Sequence, residues 1–163
     1  MALKDADLRQ AILEELRQHT VLTLATCGKA GPHAVSLMYA NEGFDIYWLS
    51  DPKAQHSQQL ESNPSAAVTI AAQYDDFRQI RGLQMDGSGC RATDGAKAGF
   101  GLLAGRYPFL KQFTIGKLAR HLGAAAVYMF RPAQLTLIDN SRGFGFKQVL
   151  ELTDQSAKIM EGH

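Results

Sequence analysis

The stretch Tyr47-Trp48-Leu49-Ser50-Asp51-Pro52-Lys53-Ala54-Gln55-His56 sets the architecture around it. Phe44 to Leu49 is dense in aromatic and β-branched residues and reads as a strand. Asp51 suits a helix N-cap and Pro52 the first helical position, so a helix follows the strand at once. That helix runs to about Ser62, where Asn63-Pro64 stops it. Free backbone N–H groups and the helix dipole at such a start favour an anion. Lys53 and His56 lie three apart, on one side of the helix, and Ser50 offers a hydroxyl. Together they suit a phosphate monoester. An ordinary capped surface helix has the same features, and an Asp51 carboxylate in the cap would repel a phosphate. The residues alone leave both readings open.

Working outward, Asp7 caps a first helix with Gln10 three positions on, and Leu8, Ile12, Leu13 and Leu16 form its apolar stripe. It ends near His19. Val21 to Thr26 is a strand, Gly28 to Pro32 a hairpin turn, and His33 to Tyr39 a second strand. Asn41-Glu42-Gly43 turns the chain into the strand at Phe44. Beyond the central helix, Ala66 to Ala72 is a short strand. Ile80 to Thr93 is a long one whose Gly82, Gly87 and Gly89 predict bulging or sharp coiling. Asp94 to about Gly123 is helical or irregular. Ala126 to Asp139 is a strand in which Pro132 marks a bulge or an edge, and Phe146 to Leu152 is the last. Short turns make neighbours antiparallel, and no β-α-β-α alternation occurs. The expected fold is mainly β: an antiparallel barrel of six to seven strands with peripheral helices. Residues 1–152 form its single domain, followed by a polar tail, 153–163.

Composition narrows the function. The chain has 163 residues, 45% hydrophobic and 20% charged, as one globular domain requires. A net charge of +1 provides no field to recruit nucleic acid or an anionic membrane. The N-terminus shows no apolar signal core and no run spans a bilayer, so the expected location is the cytoplasm. Cys27 and Cys90 match neither a metal spacing nor a redox pair and are expected to be buried thiols. The five histidines show no metal-binding spacing, and no metal site is expected.

Four further features bear on chemistry. Between Asp94 and Asp139 there is no acidic residue, while Lys97, Arg106, Lys111, Lys117, Arg120 and Arg131 are cationic. Such a stretch faces something anionic or is a solvated basic face. Gly99-Phe100-Gly101-Leu102-Leu103-Ala104 matches the G-x-G-x-x-A fingerprint by letter but lacks the downstream acidic residue, and reads instead as a close-packed connection. Asn140 to Phe146 sets Phe144 and Phe146 among glycines, as stacking surfaces or as a plug for the barrel end. In Arg81 to Gly87, Gln84 could read the edge of a planar heterocycle. No nucleophile–base set or carboxylate pair stands out, so the catalytic residues stay unassigned and any chemistry falls to a cofactor.

In order and spacing, these pieces resemble the pyridoxamine 5′-phosphate oxidase-like FMN-binding split barrels from about Thr20 to Leu152. The most telling are Tyr47 to His56, Leu60 with Asn63-Pro64, and Ile80 to Gly87. Asp139-Asn140-Ser141-Arg142-Gly143-Phe144-Gly145-Phe146-Lys147 is similar to the YhbP-like branch in particular. The resemblance implies a split barrel that binds FMN and works as an oxidoreductase. It also implies a homodimer with both subunits contributing to each site. The phosphate position falls on Ser50, Lys53, Gln55 and His56. The isoalloxazine falls along the second strand, on His33, Ala34, Val35, Ser36 and Leu37, with Gln84 and Phe144 as further contacts. The basic middle segment and the Phe144 loop become candidates for the partner's side.

Two departures accompany it. The oxidase's Arg-Lys pair at the phosphate is here Gln55-His56, a neutral amide and a titratable imidazole, which hold phosphate less strongly. Its C-terminal substrate-recognition stretch has no evident counterpart in Ala157 to His163, so the oxidase's own substrate is not carried over. Relatives on the same barrel bind haem or the deazaflavin F420. For haem, His33, His56 and His121 are the candidate ligands; for F420, residues 97–131 would form a basic channel.

Overall fold

In a computed structural model the chain is described over residues 1–114 and 124–152. The expected tail, His121, Lys117 and Arg120 lie outside the described residues.

The first helix, α1, spans Asp5–Gln18. Its N-cap is Lys4, without a side-chain bond, rather than Asp7; Asp5 and Asp7 both sit in the first turn, where they complement the dipole. Leu8, Ile12 and Leu16 are buried as the stripe requires. Strands β1 (Val21–Gly28) and β2 (Gly31–Met38) form a hairpin. Asn41 and Glu42, read as part of a turn, belong with Ala40 to a short strand, β3 (Ala40–Glu42), paired with β4 (Asp45–Ser50). Helix α2 (Gln55–Ser62), β5 (Ser65–Ala71), β6 (Arg81–Arg91), helix α3 (Ala96–Arg106), a 3-10 segment over Pro108–Thr114, β7 (Ala126–Asp139) and β8 (Lys147–Glu151) follow.

All eight strands belong to one antiparallel sheet, in the order β2-β1-β5-β6-β7-β4-β3, with β8 also on β7. Strand β7 makes this a split barrel. Its first residues pair with β4 (Ser50 opposite Ala126) and its last with β8 (Lys147 opposite Ile138). Pro132 marks the changeover. The β6 register shifts between Asp86 and Gly87, so Ala133 is the extra residue of a bulge. A Cβ on Gly87 would lie 2.2 Å from the Arg131 carbonyl oxygen, so only glycine admits the strand there.

Inward residues of the strands, among them Leu24, Val68, Leu83, Met85, Tyr128 and Leu137, meet α1 and Trp48 in the core. A second cluster places Leu103, Ala104 and Tyr107 on Tyr47 and Val127. Gly99 makes this contact possible: a Cβ there would meet Tyr47 at 2.7 Å and Val127 at 2.9 Å. The G-x-G-x-x-A letters thus lie inside α3, a helix and not the close-packed connection expected, with Gly99 at the packing contact and Gly101 exposed.

Two devices tie the helices down. Arg106 donates to the Leu16, Arg17 and His19 carbonyls and lies over the Tyr39 ring, capping the C-terminus of α1. The buried Glu15 lies 2.6 Å from Arg81 Nε, an ion pair not aligned as a hydrogen bond, and 3.2 Å from His19 Nε2. The cysteines correct an expectation. Strand alternation turns Cys27 and Cys90 outward, and both are exposed free thiols.

Candidate functional site

Strand β4 ends on Ser50 at the mouth of the barrel, where β2, an edge strand, approaches β4 without hydrogen-bonding to it. Asp51 does not cap α2. Its carbonyl accepts from Ala54 N–H (2.9 Å) and its carboxylate from Lys53 N–H (2.8 Å), closing a turn. Pro52 holds Asp51 out of helical geometry, so α2 starts only at Gln55. Two consequences follow. The carboxylate is occupied outside the helix start, and Ala54, the true N-cap, leaves the first N–H groups of α2 without a side-chain acceptor. Lys53 lies in the turn and not on the helix, so it does not share a helix face with His56 as its spacing suggests. Its side chain is exposed.

The structure brings together Ser50, His56 and His33. Ser50 Oγ and His56 Nε2 are hydrogen-bonded at 2.5 Å. The His33 and His56 rings are parallel, with centroids 6.2 Å apart. His56 is only 5% exposed. Burial, and secondarily His33, hold its pKa below the usual imidazole value, which favours the neutral ring. Gln59, one turn along α2, fixes the arrangement. Its amide oxygen accepts from the buried Thr26 hydroxyl (2.6 Å) and its amide nitrogen donates to the Gly31 carbonyl (3.1 Å). This locks α2 to the β1–β2 hairpin and so sets His56 against His33. Sequence reading missed Thr26, Gln59 and the histidine pairing because the partners are far apart in the chain.

The remaining expected residues divide. Gln55 is exposed and lines a shallow depression with Gly28 and Lys29, on the hairpin side of α2. Along β2 the side chains alternate: Val35 and Leu37 pack toward the core, Ala34 and Ser36 face outward. Ser36 and Leu37 line an apolar cavity of about 270 Å³ with Met38, Leu49, Leu103 and Tyr107. Gln84 stands on the outer face, in a row Ser36–Thr23–Thr69–Gln84 across four strands. At about 4.8 Å per strand it is some 14 Å from Ser36. Phe144 is 84% exposed and packs edge-on against Phe77, 5.5 Å away, while Phe146 is half-buried. Its loop follows Asp139, and Ser50 pairs with Ala126 at the opposite end of β7. The strand between them spans roughly 40 Å at about 3.3 Å per residue. Gln84 and Phe144 therefore do not join the Ser50–His56 cluster within one subunit.

The basic stretch also divides. Arg106 caps α1, and Arg131 pairs with Asp45 at 3.2 Å. Arg106 and Arg131 are thus satisfied within the chain. Lys97 lines a different cavity.

A curled antiparallel barrel split along β7, with a helix start and an edge strand meeting at its mouth, defines a split-barrel protein. The family model for pyridoxamine 5′-phosphate oxidase matches residues 8–139, and the chain belongs to that family. The UPF0306 protein plu4501 of Photorhabdus laumondii is 26% identical over 80% of this chain and 86% of its own length. General stress protein 26 of Bacillus subtilis is 25% identical over 46% of this chain, and the match spans 54% of that relative. Among solved structures, a heme binding protein from Mycobacterium smegmatis superposes with a TM-score of 0.71 at 19% identity, covering 93% of this chain and 59% of that one. The General Stress Protein 26 of Bacillus anthracis gives 0.64 at 16% identity, covering 89% and 98%. These structures share the fold. Among the described residues no helix is long and apolar enough to cross a membrane.

Proposed function

We propose that the chain is an FMN-binding flavoprotein that works as a homodimer in the cytoplasm, an oxidoreductase whose chemistry is the flavin's. One observation carries the reading: Ser50, His56 and His33 converge at the uncapped start of α2, beside the free edge of β2. The donor set fits a phosphate monoester. A hydroxyl, an imidazole and helix N–H groups can all donate to it, and Lys53 adds a nearby exposed cation. The unpaired flank of β2 offers backbone donors and acceptors to the edge of a planar heterocycle, and the apolar cavity at Leu37 and Leu49 offers it a dry wall. When bound, FMN supplies electron transfer. The protein's part is to hold the phosphate at Ser50 and His56 and to shield the ring from water.

The dimer is argued from the outer face. Ala34, Ala25 and Ala67 form one row across β2, β1 and β5, beside the Ser36–Thr23–Thr69 row. The face is hollowed between Thr23, Ala25, Ala67 and Gln84, with Asp86 the one charged residue of the hollow, and such scarcity of charge suits a second copy. Gln84 and Phe144, remote from His56 in their own subunit, would then serve the partner's site. Exposed free thiols at Cys27 and Cys90 suit a reducing compartment.

Haem is the second reading, favoured by His33, whose ring is not hydrogen-bonded to Ser50 and stands half-exposed at the mouth. The absorbance spectrum of purified protein separates the two. FMN gives flavin bands and releases a mass matching FMN on denaturation. A Soret band on haem addition, lost in His33→Ala, together with failure to bind FMN, would replace the FMN reading.

A further inference from the structure

One cavity is distinct from the Ser50–His56 cluster. It measures about 720 Å³ and lies between α3 and the ends of β4, β6 and β7. Leu49, Ala92, Ala126, Val127 and Phe100 give it apolar walls, and Arg91 and Lys97 are the charged residues on its rim. Among the described residues no acidic side chain lines it, and neither cation has an ion-pair or hydrogen-bonding partner for its side chain. Two unneutralised cations over an apolar hollow of ligand size form a recognition pattern for an amphiphilic anion. The planar guanidinium of Arg91 suits a carboxylate bidentately, Lys97 adds a point charge, and the Phe100 ring offers a flat contact to an apolar body.

We propose that this cavity is a second ligand site, separate from the phosphate position, for a small organic carboxylate with a flat apolar body. Leu49 lines both this cavity and the smaller one at Leu37, so the two ligands would lie on either side of one side chain. The proposal does not depend on which cofactor the barrel takes.

The test is isothermal titration of the full chain with 2-naphthoate and with its uncharged analogue 2-naphthamide. Naphthoate should bind about tenfold more tightly, the contribution of two partly exposed ion pairs. In Arg91→Ala/Lys97→Ala that preference should collapse while naphthamide affinity stays the same, with circular dichroism showing an unchanged fold. A parallel FMN titration should give the same affinity with and without naphthoate, and in both proteins. Equal binding of the two probes, no binding of either, an unchanged preference in the double variant, or displacement of naphthoate by FMN would each overturn the proposal.

Discussion

His33 on β2 and His56 on α2 stack in parallel, 6.2 Å apart, although 23 positions separate them in the chain. Neither residue's sequence neighbours announce the other. The pair exists because Gln59 ties α2 to the hairpin that carries His33. It has a consequence for pH. Burial and the His33 ring lower the pKa of His56, so the unfolded chain takes up a proton first as pH falls through the ordinary imidazole value, about 6.5. Stability contributed by neutral His56 is complete above that value and is lost below it, down to the lowered folded pKa. Thermal melts between pH 7.5 and pH 5 should show this decline in the wild-type chain and a smaller one in His56→Gln.

Gln59 positions the site without belonging to it. In Gln59→Ala, the buried Thr26 hydroxyl loses its acceptor, which costs about 1–2 kcal/mol. Denaturant unfolding should show that loss. FMN affinity should fall further than the stability change alone would bring about, because α2 is no longer fixed against β2. Unchanged affinity in a folded variant would show that the hairpin tie does not set the site.

Gly99 offers a test of the α3 docking. Alanine in a helix interior gains about 1 kcal/mol over glycine. Overpacking against Tyr47 and Val127 costs about 1–3 kcal/mol, so the net effect of Gly99→Ala is destabilising and that of Gly99→Val more so. Chemical denaturation decides it. Stabilisation by alanine would mean that α3 sits farther from β4.

Much of the fold is legible in the chain. The β7 boundaries follow from its apolar density, and Pro132 marks where β7 changes partner. The start of α2 is not legible, because Asp51-Pro52 carries the same letters whether it caps a helix or closes a turn. The site is legible in part. Ser50 and His56 lie close in sequence, and the strand-to-helix step brings them together. The fate of the cations is decided by tertiary contacts: Arg106 finds the carbonyls of α1, some ninety residues earlier, which no local pattern encodes.

The proposed dimer face can be charged without touching the core. Ala25 is exposed at the centre of the small-residue row. Ala25→Arg should therefore leave circular dichroism unchanged and convert a dimer to a monomer in analytical ultracentrifugation, and Phe144→Ser should preserve the dimer while weakening FMN. A wild-type chain that sediments as a monomer would remove the dimer and, with it, the roles proposed for Gln84 and Phe144.

The central claim is that the start of α2 holds the FMN phosphate. Its most direct test is a fluorescence-quench titration of FMN against the wild-type chain and against Ser50→Ala/His56→Ala. The expected result is saturation at one FMN per subunit, weakened at least about tenfold in the double variant, with riboflavin, which lacks the phosphate, binding both proteins alike. No saturation with the wild-type chain, or the same FMN affinity in a folded double variant, would contradict it.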